Sequence, residues 1–352
     1  MSRFFSSKFS KLIPYTPGEQ PRDMEYIKLN TNESPFSPSP LAQKMANEAA
    51  KKLELYSDPE CRDLVETAAE YFGVSKDEII FTNGSDEVLN FAFMAFGEKG
   101  VVFPDITYGF YSVFADLYGL DYTEIPLKED FTVDANAYKG VNKTIFLANP
   151  NAPTGIALPL SEIEEIVKSN PDTVVVIDEA YIDFGGQSAI PLIKKYDNLL
   201  VTATFSKSRS LAGGRLGFGI GSKNLIADLN TLKYSTNPYN VNRMTAAAGI
   251  GALKDDGYTK TNCKKIIENR EWTKTELEKL GFSVLPSSAN FLFAKHEKVS
   301  GKEIYLSLKN EGVLVRYFDK DRLKAYNRIT IGNKEQMQIL IEKLSKVLKE
   351  LL

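Results

Sequence analysis

The chain runs to 352 residues, 43% hydrophobic and 25% charged, with a net charge of −3 at neutral pH. That is enough for two domains or one large α/β domain with an appendage around a packed core, and it argues against a nucleic-acid partner, because no basic block or face stands out. No apolar run approaches the roughly 20 residues that cross a bilayer, and two distant cysteines (Cys61, Cys263) and a lone histidine (His296) leave no disulfide framework, zinc spacing or histidine-centred triad, as expected of a cytoplasmic protein with reduced thiols.

The first eighteen residues carry Arg3, Lys8, Lys11, several serines and no acid until Glu19. This faintly resembles a transit peptide, but the segment runs straight into PYTPG and reads as an arm that packs on something. IKLNTNESPFSPSP (Ile27 to Pro40) reads as a short strand and a proline-held loop. A helix is expected from Leu41 to about Leu55, then an amphipathic helix through Tyr71 that Gly73 ends. A strand at Ile79–Phe81 meets Asn-Gly-Ser-Asp at the start of an apolar helix, and open N–H groups at a helix start suit a phosphate. Asp86 and Glu87 equally suit that first turn as dipole partners.

Strands follow at Val101–Phe103, TEIPL and KTIFLANP, with a helix reaching about Tyr118 between the first two. Ser161-x-x-Glu164 has the form of a capping box. TVVVIDEAYIDF has the near-continuous apolar run of a central parallel strand buried on both faces. A short helix (Pro191 to Tyr196) and a strand through Leu199–Val201 complete an alternation that argues for an α/β fold. Beyond residue 238 the pattern changes. Helices at Arg243–Leu253 and Tyr258–Leu280 lead into short strands and a terminal amphipathic helix, the pattern of a smaller α+β domain. His296, between charged neighbours, reads as a surface-loop residue. The expected division is an arm and extended loop over 1–38, a large α/β domain over 39–238 and a small domain over 239–352.

TFSKSRSLAGGRLGFG, Thr204 to Gly219, carries the chemistry. The strand before it delivers Lys207 to a carboxyl end, where ligands collect in open α/β sheets. A lysine that is desolvated and near another cation can lose its proton and attack a carbonyl. Thr204, Ser206 and Arg215 could hold a phosphate, the arginine in a two-pronged contact. Pyridoxal phosphate carries both an aldehyde and a phosphate. Asp178 ends the most apolar strand, and a buried carboxylate there needs a partner. Magnesium held as in nucleotide hydrolases would require a G-x-x-x-x-G-K-[ST] loop, which the chain lacks. A pyridinium nitrogen is the partner that explains Asp178 best, and its protonation would make the ring an electron sink, although the carboxylate could also cap a neighbouring turn or pair with a lysine. Tyr181 could bond the ring oxygen and Tyr108 could stack on the ring.

With IPYTPG, LNTNESP, YSDPE, NGSDE, NPNAPTG, DEAYIDF, FSKSRSLAGGRLG, ANF, VRYF and RITIG in order along the chain, the sequence resembles the fold-type I, class II pyridoxal-phosphate aminotransferases. PYTPG and DEAYIDF favour the histidinol-phosphate branch. The resemblance implies a large domain with a mostly parallel sheet flanked by helices, a small α+β domain, and exchange of an amino group between histidinol phosphate and 2-oxoglutarate in histidine biosynthesis. Lys207 would bond the cofactor aldehyde and later shuttle the substrate proton, while Asp178 held the pyridine nitrogen and Tyr181 the ring oxygen. Gly84, Ser85, Asp86, Thr204, Ser206 and Arg215 would cradle the phosphate, with Tyr108 (or Phe110) on the ring. Tyr56 would reach the neighbouring subunit's site in a homodimer. Arg316 and Arg328 would receive substrate anions and Tyr15 would close over them. One departure stands out: Ala152 occupies the place of the family's asparagine on the ring oxygen, so Asn151 or Asn149 substitutes, or Tyr181 serves alone. Decarboxylation of threonine phosphate and a broader aromatic aminotransferase remain alternatives.

Overall fold

The computed structural model describes residues 2–352. After the arm come β1 (Ile27–Lys28), α1 (Pro40–Ala50), α2 (Arg62–Phe72), β2 (Ile79–Asn83), α3 (Ser85–Phe96), β3 (Val101–Pro104), α4 (Phe110–Tyr118) and β4 (Tyr122–Ile125). Next are β5 (Thr144–Ala148), α5 (Leu160–Lys168), β6 (Val175–Asp178), β7 (Leu199–Thr204), β8 (Leu216–Gly221), α6 (Lys223–Thr236), α7 (Arg243–Lys254) and α8 (Asp256–Lys279). The chain closes with β9 (Phe282–Val284), β10 (Phe291–His296), α9 (Gly301–Asn310), β11 (Val313–Leu314), β12 (Arg316–Tyr317), β13 (Tyr326–Thr330) and α10 (Lys334–Leu351).

The large sheet has seven strands in the order β2-β8-β7-β6-β5-β3-β4. From β7 to β4 every pairing is parallel; β8 is antiparallel to both its neighbours. Successive side chains of a strand point to opposite faces, and here both faces are apolar. Val175 and Ile177 of β6 join Ile145, Val201 and residues of α5 and α7, while Val176 joins Phe146, Leu200 and residues of α3 and α4. Coverage by helices on both faces explains why these strands read as unbroken hydrophobic runs.

The second sheet is antiparallel, β12-β13-β10-β9, and packs with α8, α9 and α10 around Leu292, Ile304, Ile329 and Leu340. The N-terminal stretch is part of this unit: β1 runs parallel to β11, and Leu29 is buried in its core. α7 packs instead with the larger core through Ala248, Ala252 and Leu253, so the two apolar cores part along α8, which sends Cys263 and Ile266 into the smaller one. Among the described residues no helix is long and apolar enough to cross a membrane.

Two local expectations need correction. α5 starts at Leu160 behind Pro159 with no side-chain cap, which leaves Ser161 inside the first turn. Glu164 turns outward and accepts bonds from Lys195 and Tyr196, both at 3.1 Å. His296 is not on a surface loop. It ends β10, only 9% exposed, and its Nδ1 accepts the N–H groups of Lys298 and Val299 at 3.2 and 3.1 Å. Its charged neighbours in sequence hide the fact that a turn folds back over the ring.

Candidate active site

The parallel register places Asp178, the last residue of β6, beside Thr202 of β7, so the turn after β7 leaves from the same edge of the sheet. Asp178 is 5% exposed. It accepts the Tyr111 hydroxyl at 3.2 Å and the Ala180 N–H at 3.2 Å. Burial, then the nearby Asp86, push its carboxyl up to about 7. Lys207 sits on the turn, its Nζ donating to the Thr31 carbonyl at 3.2 Å and lying 5.9 Å from the centre of the Tyr181 ring. Burial, and next the Arg328 cation, hold this amine down to about 8. The site thus contains a lysine ready to lose its proton and a carboxyl whose charge lacks a cationic partner at bonding distance, the two close enough for Lys207 to favour the charged form of Asp178.

One wall is the start of α3. Its N-cap, Gly84 (φ 79°), has no side chain to bond the first N–H groups of the helix, which are the donors that suit an anion. The backbones approach so closely that a Cβ on Gly217 of β8 would lie 2.1 Å from the Ser85 nitrogen. Across from it the Thr204 and Ser206 hydroxyls are 2.9 Å apart and buried. Asp86 carries a carboxylate that would repel phosphate, and its side chain is engaged elsewhere, accepting the Tyr108 hydroxyl at 2.8 Å and Arg215 Nη2 at 3.1 Å. That contact fixes Tyr108 in the cleft. Phe110 instead stacks on Tyr15, ring centres 4.3 Å apart.

The second wall comes from the small sheet. Arg316 and Arg328 are directly paired across β12 and β13, two like charges on one face, an arrangement that costs stability without an anion between them. Arg328 donates to the Asn30 carbonyl at 3.0 Å, while its Nε is buried without a protein partner. Arg316 donates to the carbonyls of Thr16 and Pro17 at 3.1 and 3.2 Å, which brings the arm onto the site. Tyr15 lies there half-buried, its hydroxyl pushed up by burial and drawn down by Arg328 and Arg316. An amine, a lone buried carboxyl, a helix-start anion cradle and paired guanidiniums fit a phosphorylated aldehyde with a basic ring nitrogen, together with an anionic substrate.

Residues 24–344 match the family described as aminotransferase class I and II. The chain belongs to that family. The histidinol-phosphate aminotransferase of Brachyspira hyodysenteriae is 52% identical over 353 residues, covering 99% of this chain and 100% of that one. That of Clostridium botulinum (strain Kyoto / Type A2) is 48% identical over 354 residues, covering 100% of both. The crystal structure of histidinol-phosphate aminotransferase from Sinorhizobium meliloti in complex with pyridoxal-5'-phosphate superposes with a TM-score of 0.86 at 26% identity, over 93% of this chain and 92% of that one.

Within this aminotransferase, the side chains of Asn151, its alternative Asn149 and Tyr56 are engaged elsewhere. Asn151 spends its amide donors on the Ile106 carbonyl, in the turn after β3, at 3.0 Å and on the Thr154 hydroxyl of its own loop at 3.2 Å, and its Oδ1 accepts the Thr107 hydroxyl at 2.9 Å. It ties the two loops together and has no donor left for a ring oxygen. Asn149 pairs likewise with the backbone of Leu158. Tyr56 is 80% exposed and stacks on Tyr239 with ring centres 4.6 Å apart, on the surface of this single chain. The cleft also contains residues that motif reading passed over. Tyr111 bonds Asp178, Thr31 receives Lys207, and Asn32 donates to the Tyr181 hydroxyl at 2.9 Å.

Proposed function

We propose that this chain is a pyridoxal-phosphate-dependent aminotransferase of histidine biosynthesis. It moves the amino group between L-histidinol phosphate and 2-oxoglutarate, giving imidazole acetol phosphate and L-glutamate. Full-length similarity to histidinol-phosphate aminotransferases at 52% and 48% identity supports the substrate. The observation that carries the chemistry is Lys207 and Asp178 at adjoining strand ends in one buried cleft.

Bound pyridoxal phosphate supplies an electron sink for the substrate's α-carbon. Asp178 would keep the ring nitrogen charged, which would relieve the cost of its own burial. Lys207 Nζ, whose neutral form fills in as pH rises through about 8, would be the amine that holds the aldehyde. The same nitrogen would be the base that takes and returns the substrate's α-proton. Ser85 and Asp86 would offer main-chain N–H groups to the phosphate beside Gly84, whose own N–H is bonded to the Thr82 carbonyl at 2.9 Å, with Thr204, Ser206 and Arg215 adding hydroxyls and a cation. Tyr108 would stack on the ring and Tyr181 would hold its oxygen. Arg316 and Arg328 take the glutamate carboxylate in one half-reaction and the substrate phosphate in the other, and Tyr15 closes over them and excludes water.

The working unit in this reading is a cytoplasmic homodimer, with Tyr56 reaching the partner's site; its 80% exposure here is in keeping with a role outside its own chain. A half-reaction comparing amino donors tests the function. Histidinol phosphate should convert the cofactor to its amino form far faster than phenylalanine, without gas release. Carbon dioxide from threonine phosphate would replace this reading with a decarboxylase.

A further inference from the structure

Resting on that reading, we propose that Asn32 is a positioning residue: it aims the Tyr181 hydroxyl at the cofactor's ring oxygen, a contact that Ala152 cannot make. Asn32 lies in the extended loop after β1, 1% exposed, in a left-handed conformation (φ 57°). Its orientation is set by Thr330 of β13. The Asn32 N–H donates to Thr330 Oγ1 at 3.0 Å, and that hydroxyl's single proton goes to Asn32 Oδ1 at 2.9 Å. The Asn32 carbonyl is held by Asn290 Nδ2 at 3.0 Å. With Oδ1 occupied by a donor, the amide NH2 must be the end that meets Tyr181, at 2.9 Å.

An amide nitrogen donates and does not accept, so the tyrosine oxygen accepts here and its own proton points elsewhere. On its other flanks Tyr181 meets Phe291 edge-on at 5.1 Å and packs with Ala152 and Ala289, whose side chains offer no acceptor. The hydroxyl proton is left for the cleft. A hydroxyl that accepts one hydrogen bond becomes a stronger donor in the next, and Asn32 opposes the upward push of burial on Tyr181. The charged and titratable groups facing Tyr181 are Arg328, Asp178, Asp86, Lys207 and Tyr15. All of them remain in variants at position 32.

A donor to the ring oxygen favours the deprotonated form of the cofactor–lysine link, so losing it raises the pH at which the bound cofactor changes its absorption. The experiment is a spectrophotometric pH titration of the holoenzyme. Asn32→Gly keeps the left-handed backbone and removes the donor; Asn32→Asp keeps the shape and offers only acceptors. Both should raise the midpoint by roughly one unit, the scale of one hydrogen bond. Tyr181→Phe should raise it as well, and adding Asn32→Gly to Tyr181→Phe should change nothing further. A wild-type midpoint in both Asn32 variants would overturn the proposal. So would an equal shift on the Tyr181→Phe background, which would leave Asn32 a role in packing only. A wild-type enzyme with no cofactor band would instead overturn the underlying reading of the site, and the proposal with it.

Discussion

At Lys207, burial and the Arg328 guanidinium act in the same direction, and both favour the neutral amine. Its folded value of about 8, below the ordinary lysine value of 10.5, means that the nucleophilic form fills in as pH rises through about 8. The rate at which apoenzyme captures pyridoxal phosphate should therefore climb between about pH 7 and 9 and level off above. In Arg328→Gln, with one depressing charge gone, the rise should move to higher pH; stopped-flow absorbance across the range reads both. Lys207, Asp178 and Arg215 were legible in the sequence because each is a costly residue type in an apolar or glycine-rich setting. Tyr111 was not. It lies on α4 among Phe110 and Phe114, where an aromatic reads as core, and only the fold brings it to Asp178, 67 positions away. Asn32 was hidden for a related reason: its partners Tyr181 and Thr330 lie 149 and 298 positions distant.

Strand ends and one helix start build the site, and their close fit depends on β8 lacking a side chain where it passes α3. A methyl group on Gly217 would meet backbone atoms, Ser85 N at 2.1 Å and Gly84 C at 2.3 Å, which cannot swing aside as a side-chain tip would. Gly217→Ala should cost about 1–3 kcal/mol of stability, the usual range for overpacking. It should also weaken cofactor binding, because the relief it demands moves the phosphate cradle. Chemical denaturation and a pyridoxal phosphate titration measure the two effects, and unchanged affinity would show that the cradle does not depend on this contact. The α/β alternation was readable because parallel strands buried on both faces leave continuous apolar runs. The start of α5 was misread because Ser161 and Glu164 match a capping pattern locally, while the N-cap is Pro159, two residues earlier than that pattern needs. α6 was passed over although Leu225, Ile226, Leu229 and Leu232 recur at helical spacing, because the glycine-rich turn before it dominates the local pattern.

For the whole molecule, a single chain brings together the lysine, the carboxyl, the anion cradle and the arginines, but leaves Tyr56 facing outward. If sites are shared, subunits carrying Lys207→Ala and subunits carrying Tyr56→Ala should regain activity when refolded together, since a mixed dimer holds one site free of both changes. Activity no greater than the sum of the separate variants would place Tyr56 outside the reaction. The covalent role proposed for Lys207 supports all the others, and one measurement addresses it directly: borohydride reduction of the holoenzyme, proteolysis, and mass spectrometry of the cofactor-bearing peptide. The expected result is a single modified residue, Lys207, with no label in Lys207→Ala. A label on any other lysine, or none in the wild-type enzyme, would contradict the assignment of this cleft as the catalytic centre.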